Sequence, residues 1–297
     1  MIDAHAHLSF PDYQSDLDLI IARAKEAGVK KIICASSNLE ESQRAVEIAQ
    51  KYPGVVFAGI GIHPQQTDPE NKMPLDKQIK ALESLASQKE VACLAECGLD
   101  YAPAPPPEKD RSKKNQYYLF EAQLKIAQKL NLPVQIHSRQ AYLDTLAILK
   151  SYPKIRGLWH CYSEGKKGIE AIINLGLYFG VDGNLTYDPG LQNVFKLIPL
   201  NKIILETDSP LLTPLPFRGQ RNEPAYLFYL AKTLAKMKPL RSKLRSFFFC
   251  SLCEDYSFHP RSKLRGFPAR KIKNVPLAKI DQITSRNTKN LFTKLAQ

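Results

Sequence analysis

The feature that most constrains this chain is a recurring order. Short apolar runs, each ending in a polar or acidic residue, alternate with longer amphipathic stretches, and the alternation repeats eight times. Apolar runs of this kind read as strands buried on both faces, the strands of parallel sheets. Strands are expected near residues 2–5, 31–35, 55–62, 91–96, 133–137, 157–160, 178–181 and 202–207. Helical periodicity is expected over 16–27, 39–51, 75–87, 115–130, 142–151, 168–175, 192–197 and 224–238. Eight strand-then-helix units are the pattern of an α/β protein closed into a (β/α)8 barrel, a TIM barrel. Periodicity alone also allows an open doubly wound sheet. That fold would carry a glycine-rich phosphate loop after its first strand, whereas here the first strand runs into His5-Ala-His-Leu8 with no glycine.

The 297 residues suit one barrel domain, residues 1–297, with one interruption. After the eighth helix the pattern breaks. Arg241-Ser-Lys-Leu-Arg245 recurs as Arg261-Ser-Lys-Leu-Arg265, around Phe247-Phe-Phe-Cys-Ser-Leu-Cys253, and helical patterning resumes over 277–295. Residues 239–273 therefore read as an insertion, since long structureless loops are uncommon in compact domains. The same segment bears on the charge. The net charge of +13 suggests a polyanionic partner. The segment holds nine Lys/Arg and two Asp/Glu, which leaves +6 for the rest of the chain. Charge alone is thus weak evidence for nucleic-acid binding. No apolar stretch approaches the ~20 residues of a membrane helix, and Met1-Ile2-Asp3-Ala4-His5 does not begin a secretory signal. Most of the six scattered cysteines read as free thiols of a reducing, cytoplasmic setting. Neither a membrane nor a stable protein partner is expected.

The histidines fall by a rule. His5 and His7 follow the first expected strand, His63 the third, His137 ends the fifth and His160 the sixth; only His259, in the insertion, lies elsewhere. Glu96 ends the fourth strand and Asp208 the eighth. In a (β/α)8 barrel these strand ends converge on one face, where such enzymes build their sites. His5, His7, Glu96, His137, His160 and Asp208 then make a nitrogen-and-oxygen donor set without thiolate. Such a set suits Zn²⁺, Mn²⁺, Co²⁺ or Mg²⁺ at a catalytic centre rather than a sealed structural zinc. Six donors exceed what one tetrahedral ion uses, and Glu96 can bridge two ions. Two ions would clamp the attacking and departing oxygens of a phosphate ester. A lone strand-end histidine is as readily a hydrogen-bonded structural residue, and His63 stands at that balance. Cys161, beside His160, reads as a small buried residue. Cys250-x-x-Cys253 with His259 is a weak rival motif, because a structural zinc needs four ligands.

Several motifs here have a familiar order. They are Asp3-Ala-His-Ala-His-Leu8, Gly61-Ile-His-Pro64, Glu96-Cys-Gly-Leu-Asp-Tyr101, Val134-Gln-Ile-His-Ser-Arg139, His160-Cys-Tyr-Ser163, Leu205-Glu-Thr-Asp-Ser-Pro210 and Phe217-Arg-Gly-Gln-Arg-Asn-Glu-Pro224. With Asn287-Thr-Lys-Asn-Leu-Phe292 they make the chain resemble the TatD family of metal-dependent hydrolases, within the amidohydrolase-like barrels. The resemblance covers residues 2–238 and 274–296. It implies a deoxyribonuclease, an exonuclease acting on DNA with two divalent ions. One ion would be held by His5, His7, Glu96 and Asp208, the other by Glu96, His137 and His160. Asp208 and Glu96 would be catalytic, Asp208 as acceptor of the attacking water's proton. His63, Arg139 and Arg221 would face substrate, the two arginines through planar cationic forks that suit phosphate, although both could equally make ordinary surface ion pairs. Glu206 would orient a neighbour rather than ligate. The chain departs from the family in the proline-rich run Ala102-Pro-Ala-Pro-Pro-Pro107, in Gln140 where the family often has an acid, and in Gly183-Asn-Leu-Thr-Tyr187. The segment 239–273 resembles in-frame translated palindromic repeats, and is expected toward the end of the barrel away from the site.

Two rival functions follow from the same residues. A barrel hydrolase of this kind can act on a small amide, lactone or ester. A non-catalytic nucleic-acid-binding protein could use the basic insertion, but it leaves the donor set without a purpose.

Overall fold

A computed structural model describes residues 1–67, 73–103, 112–239 and 274–296. The proline-rich run beyond Pro103, the repeated pentapeptides and the Cys250, Cys253 and His259 motif lie outside the described residues. The strands are β1 (Ile2–Ala6), β2 (Lys31–Cys34), β3 (Val56–Ile60), β4 (Val91–Asp100), β5 (Val134–Arg139), β6 (Gly157–Trp159), β7 (Tyr178–Val181) and β8 (Ile203–Leu205). They pair in chain order and all in parallel. Closure comes at the carboxyl ends of β1 and β8. There the Thr207 and Asp208 amides donate to the His5 carbonyl, His7 N–H donates to the Ser209 carbonyl, and Ala6 bridges Ser209 in parallel. The architecture is a (β/α)8 barrel, as the alternation predicted.

The helices are α1 (Leu17–Glu26), α2 (Leu39–Lys51), α3 (Leu75–Ala86), α4 (Lys113–Leu130), α5 (Tyr142–Lys150), α6 (Gly168–Asn174), α7 (Pro189–Phe195), α8 (Leu227–Met237) and α9 (Leu277–Leu291). Most begin within two residues of the expected positions, and two of these carry a side-chain cap. Asn38 caps α2 by accepting from Glu41 N–H, and Ser112 caps α4 by accepting from Asn115 N–H. The eighth begins at Leu227, three residues late, after a single 3-10 turn over Pro224–Tyr226, and the seventh is displaced the other way. It starts at Pro189, three residues before the periodic run, because Asp188 caps it through Leu191 N–H and proline takes the first position. The apolar periodicity of the helix thus lags behind its capping signal.

Two apolar layers hold the barrel. One lies between strands and helices. The other fills the lumen with small and branched residues, among them Ala4, Ile33, Ala35, Cys93, Ala95, Leu158 and Ile204, packed with Leu291, Phe292 and Leu295 from the C-terminal helical region. Asn287 joins these parts, donating to the carbonyls of Leu200 and Ile203. The residues on either side of 240–273 meet: Pro239 and Asn274 form an antiparallel bridge, and Val275 N–H donates to the Lys238 carbonyl at 2.9 Å. Lys238 is buried there, with Nζ 3.4 Å from the Lys196 carbonyl and also donating to those of Phe195 and Ile198, on the stretch leading into β8.

Candidate metal centre

The strands that carry the site are irregular where the site begins. The register of β1 against β2 slips between Asp3 and Ala6, and that of β4 against β5 slips between Leu94 and Cys97. A bulge re-aims side chains at a strand end, and these two fall on His5 and Glu96. Gly61 fits the same local demand. A Cβ there would sit 2.6 Å from the backbone joining Ala95 to Glu96, so β3 can approach the strand that presents Glu96 only with glycine at this position.

The six expected donors come together. His5 Nε2 lies 3.2 Å from His7 Nε2, 3.8 Å from Glu96 Oε2 and 3.6 Å from Asp208 Oδ1. His7 Nε2 lies 3.3 Å from Asp208 Oδ1 and 4.0 Å from Glu96 Oε2. Tetrahedral donors about 2.0–2.2 Å from one ion stand about 3.3–3.6 Å apart; the contacts among His5, His7 and Asp208 are close to that spacing, and His5, His7 and Glu96 form one group of donors near enough to share an ion. The other oxygen of Glu96 faces a second set. Glu96 Oε1 is 2.6 Å from His137 Nδ1, 3.7 Å from His160 Nε2 and 3.8 Å from His63 Nε2. His160 Nε2 is also 3.6 Å from Asp208 Oδ1. All of these side chains are buried except that of His137, which is partly open. Buried imidazoles facing buried carboxylates need either protons or a cation between them, and the nitrogen-and-oxygen donors fit a divalent ion.

The electrostatics follow from this crowding. Burial would raise the Glu96 carboxyl, but the imidazoles of His160, His137 and His63 outweigh it and hold its pKa well below the usual range. Asp208 is held down in the same way by His160, His7 and His5. Burial together with His160 and His7 drives His5 well below an ordinary histidine, so its ring is neutral. Burial also works against protonated His137, yet Glu96 and Asp100 reverse that and raise it to about 9.

Asp100 was missed by reading the sequence. Its Oδ2 lies 3.4 Å from His137 Nε2 and accepts from the Gln65 amide at 2.9 Å, and with His63 and His137 it forms a third group of donors close enough to share an ion. The expected β4 ended at Glu96. The strand in fact continues to Asp100, pairing Leu99 with Ser138 and Asp100 with Arg139. The signal was the four-residue spacing from Glu96, which keeps both acids on one face of an extended strand. Glu206 is buried on β8's exit, with Oε1 accepting from Cys161 N–H at 2.7 Å and lying 3.1 Å from His160 Nδ1, as an orienting residue would. Gly180 makes room for it, since a Cβ there would run into the Glu206 carboxylate.

The substrate-facing candidates divide. Arg139 ends β5 at the mouth and is exposed. His63 is buried in the cluster. Its Nδ1 accepts from Gln65 N–H at 3.1 Å, so the neutral ring carries its proton on Nε2, turned toward Glu96. Arg221 takes the ion-pair course, the second of the two readings open to it. Its fork is bound to Asp16 at 2.5 and 3.0 Å and to the Asp12 carbonyl, and it lies over the Tyr13 ring. A bidentate carboxylate partner takes up the geometry that a phosphate would need, so Arg221 fastens the β8 loop to the start of α1.

Comparison with known proteins agrees with this geometry. The family described as "TatD related DNase" matches residues 2–293. The metal-dependent hydrolase YabD of Bacillus subtilis is 32% identical over 245 residues, covering 81% of this chain and 92% of that protein. The 3'-5' ssDNA/RNA exonuclease TatD of Erwinia tasmaniensis is 30% identical over 247 residues, covering 80% and 92%. Among solved structures, the TatD homologue YjjV of Escherichia coli has a TM-score of 0.78 at 26% identity, covering 99% of this chain and 98% of that one. The chain belongs to the family of TatD-related DNases.

Proposed function

We propose that this protein hydrolyses phosphodiester bonds in DNA, from an end of the strand, at a centre of two divalent ions. The observation that carries the reading is Glu96, whose Oε2 faces His5 and His7 while its Oε1 faces His137 and His160, with His160 also reaching Asp208. DNA as substrate is supported by the names of relatives, including that of Erwinia tasmaniensis. Ions bound there would lower the pKa of water and offset charge on the phosphate. Zn²⁺, Mn²⁺ and Mg²⁺ all suit the donor set.

The chain's own groups divide the work. Asp208, held ionised by its imidazole neighbours, takes a proton from the attacking water. Its backbone is held in place, with Asp208 N–H donating to the His5 carbonyl and Leu211 N–H donating to that of Asp208. Water oxygen adds to phosphorus as the bond to the leaving sugar oxygen breaks, and that oxygen takes up a proton. His63 offers its Nε2–H to a phosphate oxygen, and Arg139 meets the flanking phosphate at the mouth. Glu206 keeps His160 turned toward the centre.

We place the reaction in the cytoplasm, on the support of Cys34, Cys93, Cys97 and Cys161, which are free thiols. Among the described residues no helix is long and apolar enough to cross a membrane. Residues 239–273 we read as an appendage to the catalytic barrel, supported by the bridge between Pro239 and Asn274.

The test is a substrate comparison. Protein stripped of metal and reloaded is given end-labelled single-stranded DNA beside a panel of cyclic amides and lactones. Metal-dependent shortening of the DNA supports the proposal. Turnover of the small substrates with intact DNA would replace it with the small-ester reading. DNA binding that survives chelation without cleavage would favour the binding-protein reading.

A further inference from the structure

The geometry points to Gln135 as a positioning residue that sets the tautomer of His5 from across the barrel. The inference rests on the two-ion reading for its consequence, not for its geometry. Gln135 lies on β5 and His5 on β1, strands four places apart in a ring of eight. The amide is fully buried, in a lumen otherwise lined by Ala4, Cys93 and Leu158. A buried amide is costly unless its groups find partners, and here both ends do. Nε2 donates to the Ala4 carbonyl at 2.7 Å and reaches Cys93 Sγ at 3.6 Å, while Oε1 meets His5 Nδ1.

The direction of these bonds is forced. A backbone carbonyl only accepts, so the amide nitrogen must face Ala4 and the amide oxygen must face His5. An amide oxygen also only accepts, so His5 Nδ1 must carry the hydrogen. A neutral His5 then has a bare lone pair on Nε2, the atom 3.2 Å from His7 Nε2 and 3.6 Å from Asp208 Oδ1. Left to the local field, His5 would settle the other way. Glu96 and Asp208 both lie within 3.8 Å of Nε2 and would draw the ring hydrogen to it. In that tautomer the nitrogen facing the centre is a donor and cannot hold a cation. Gln135 opposes that pull by giving the hydrogen a partner on the far side of the ring. Ligating histidines are commonly held so by a group on their second nitrogen; here that group comes from the opposite strand, 130 residues away.

Two readouts test this. Nitrogen-15 histidine spectra of the metal-free protein at neutral pH report which ring nitrogen of His5 bears hydrogen. Competition with a chromophoric chelator reports Zn²⁺ affinity at each site. The wild type is expected to show His5 with hydrogen on Nδ1. Gln135→Leu, judged folded by circular dichroism and melting, should shift His5 toward the other tautomer and weaken one of the two ions by about 10–100-fold, leaving the other in place. Gln135→Glu keeps an acceptor for His5 but can serve the Ala4 carbonyl only when protonated, so the folded variant should keep hydrogen on His5 Nδ1; a shift to Nε2 there would overturn the inference. The inference is overturned by wild-type His5 carrying hydrogen on Nε2, a result that needs no variant. It is overturned equally by folded Gln135→Leu holding both ions as tightly as wild type. A wild type with hydrogen on Nδ1 that binds no ion would uphold the clamp and defeat the two-ion reading.

Discussion

Replacing Glu206 with Gln removes one buried charge and leaves the shape of the side chain almost unchanged. The Glu206 Oε1 to His160 Nδ1 distance is 3.1 Å. Two full charges at that distance attract by about 5 kcal/mol at an effective dielectric of about 20. A neutral imidazole on a cation presents only part of a charge at Nδ1–H, and the buried carboxylate has lost hydration that offsets some of the gain. About 1.5–3 kcal/mol should remain, which corresponds to about 10–100-fold in affinity for the ion that His160 holds. The assay is chelator competition with Zn²⁺ or Mn²⁺ on wild type and Glu206→Gln, with melting curves to confirm folding. The glutamine keeps an oxygen for Cys161 N–H, so the local backbone should hold. Gly180→Ala approaches the same contact from the other side, since its methyl would strike the Glu206 carboxylate, and it should weaken the same site. If Glu206→Gln binds both ions within twofold of wild type, Glu206 does not orient His160 and the reasoning fails.

Four further outcomes are expected. His137 is held protonated up to about 9 in the metal-free fold, and an imidazolium must lose its proton to ligate. Metal affinity should therefore rise with pH and level off above about 9, with proton release on binding seen by calorimetry in buffers of different ionisation heat; affinity flat from pH 6 to 9 would contradict this. Gly61→Ala places a methyl 2.6 Å from the backbone carrying Glu96 and should cost about 1–3 kcal/mol of stability along with most activity, measured by melting and turnover. Arg139→Ala should raise KM for oligonucleotide with kcat nearly kept, whereas Arg221→Ala should act on stability, by about 0.5–1 kcal/mol for a partly exposed ion pair. Removing residues 240–273 and joining Pro239 to Asn274, which already bridge, should leave metal binding and turnover intact; loss of either would show that the segment serves the site.

Much of this was legible because the barrel writes itself twice in the sequence. Buried strands must be apolar runs, and their ends must carry whatever chemistry the fold performs. His5, His7, Glu96, His137, His160 and Asp208 could be picked out for that reason. What stayed hidden depended on approach in space. Arg221 stayed open between phosphate contact and ion pair because nothing in Phe217-Arg-Gly-Gln-Arg221 announces that Asp16, from the start of the chain, arrives beside it. Asp100 was read as loop because the apolar run stops at Ala95, although pairing with β5 carries the strand five residues further. Gln135 showed as a polar residue inside Val134-Gln-Ile136, but its partner sits on the opposite strand, and only closure of the barrel brings the two together.

The central claim is that ions held by this cluster drive hydrolysis of DNA. It is tested most directly by titrating Mn²⁺ or Zn²⁺ into metal-stripped protein while following cleavage of an end-labelled single strand, beside Asp208→Asn. Activity rising with bound metal to two equivalents, and lost in folded Asp208→Asn, is the predicted result. Cleavage unaffected by stripping, or undiminished in Asp208→Asn, would contradict the account.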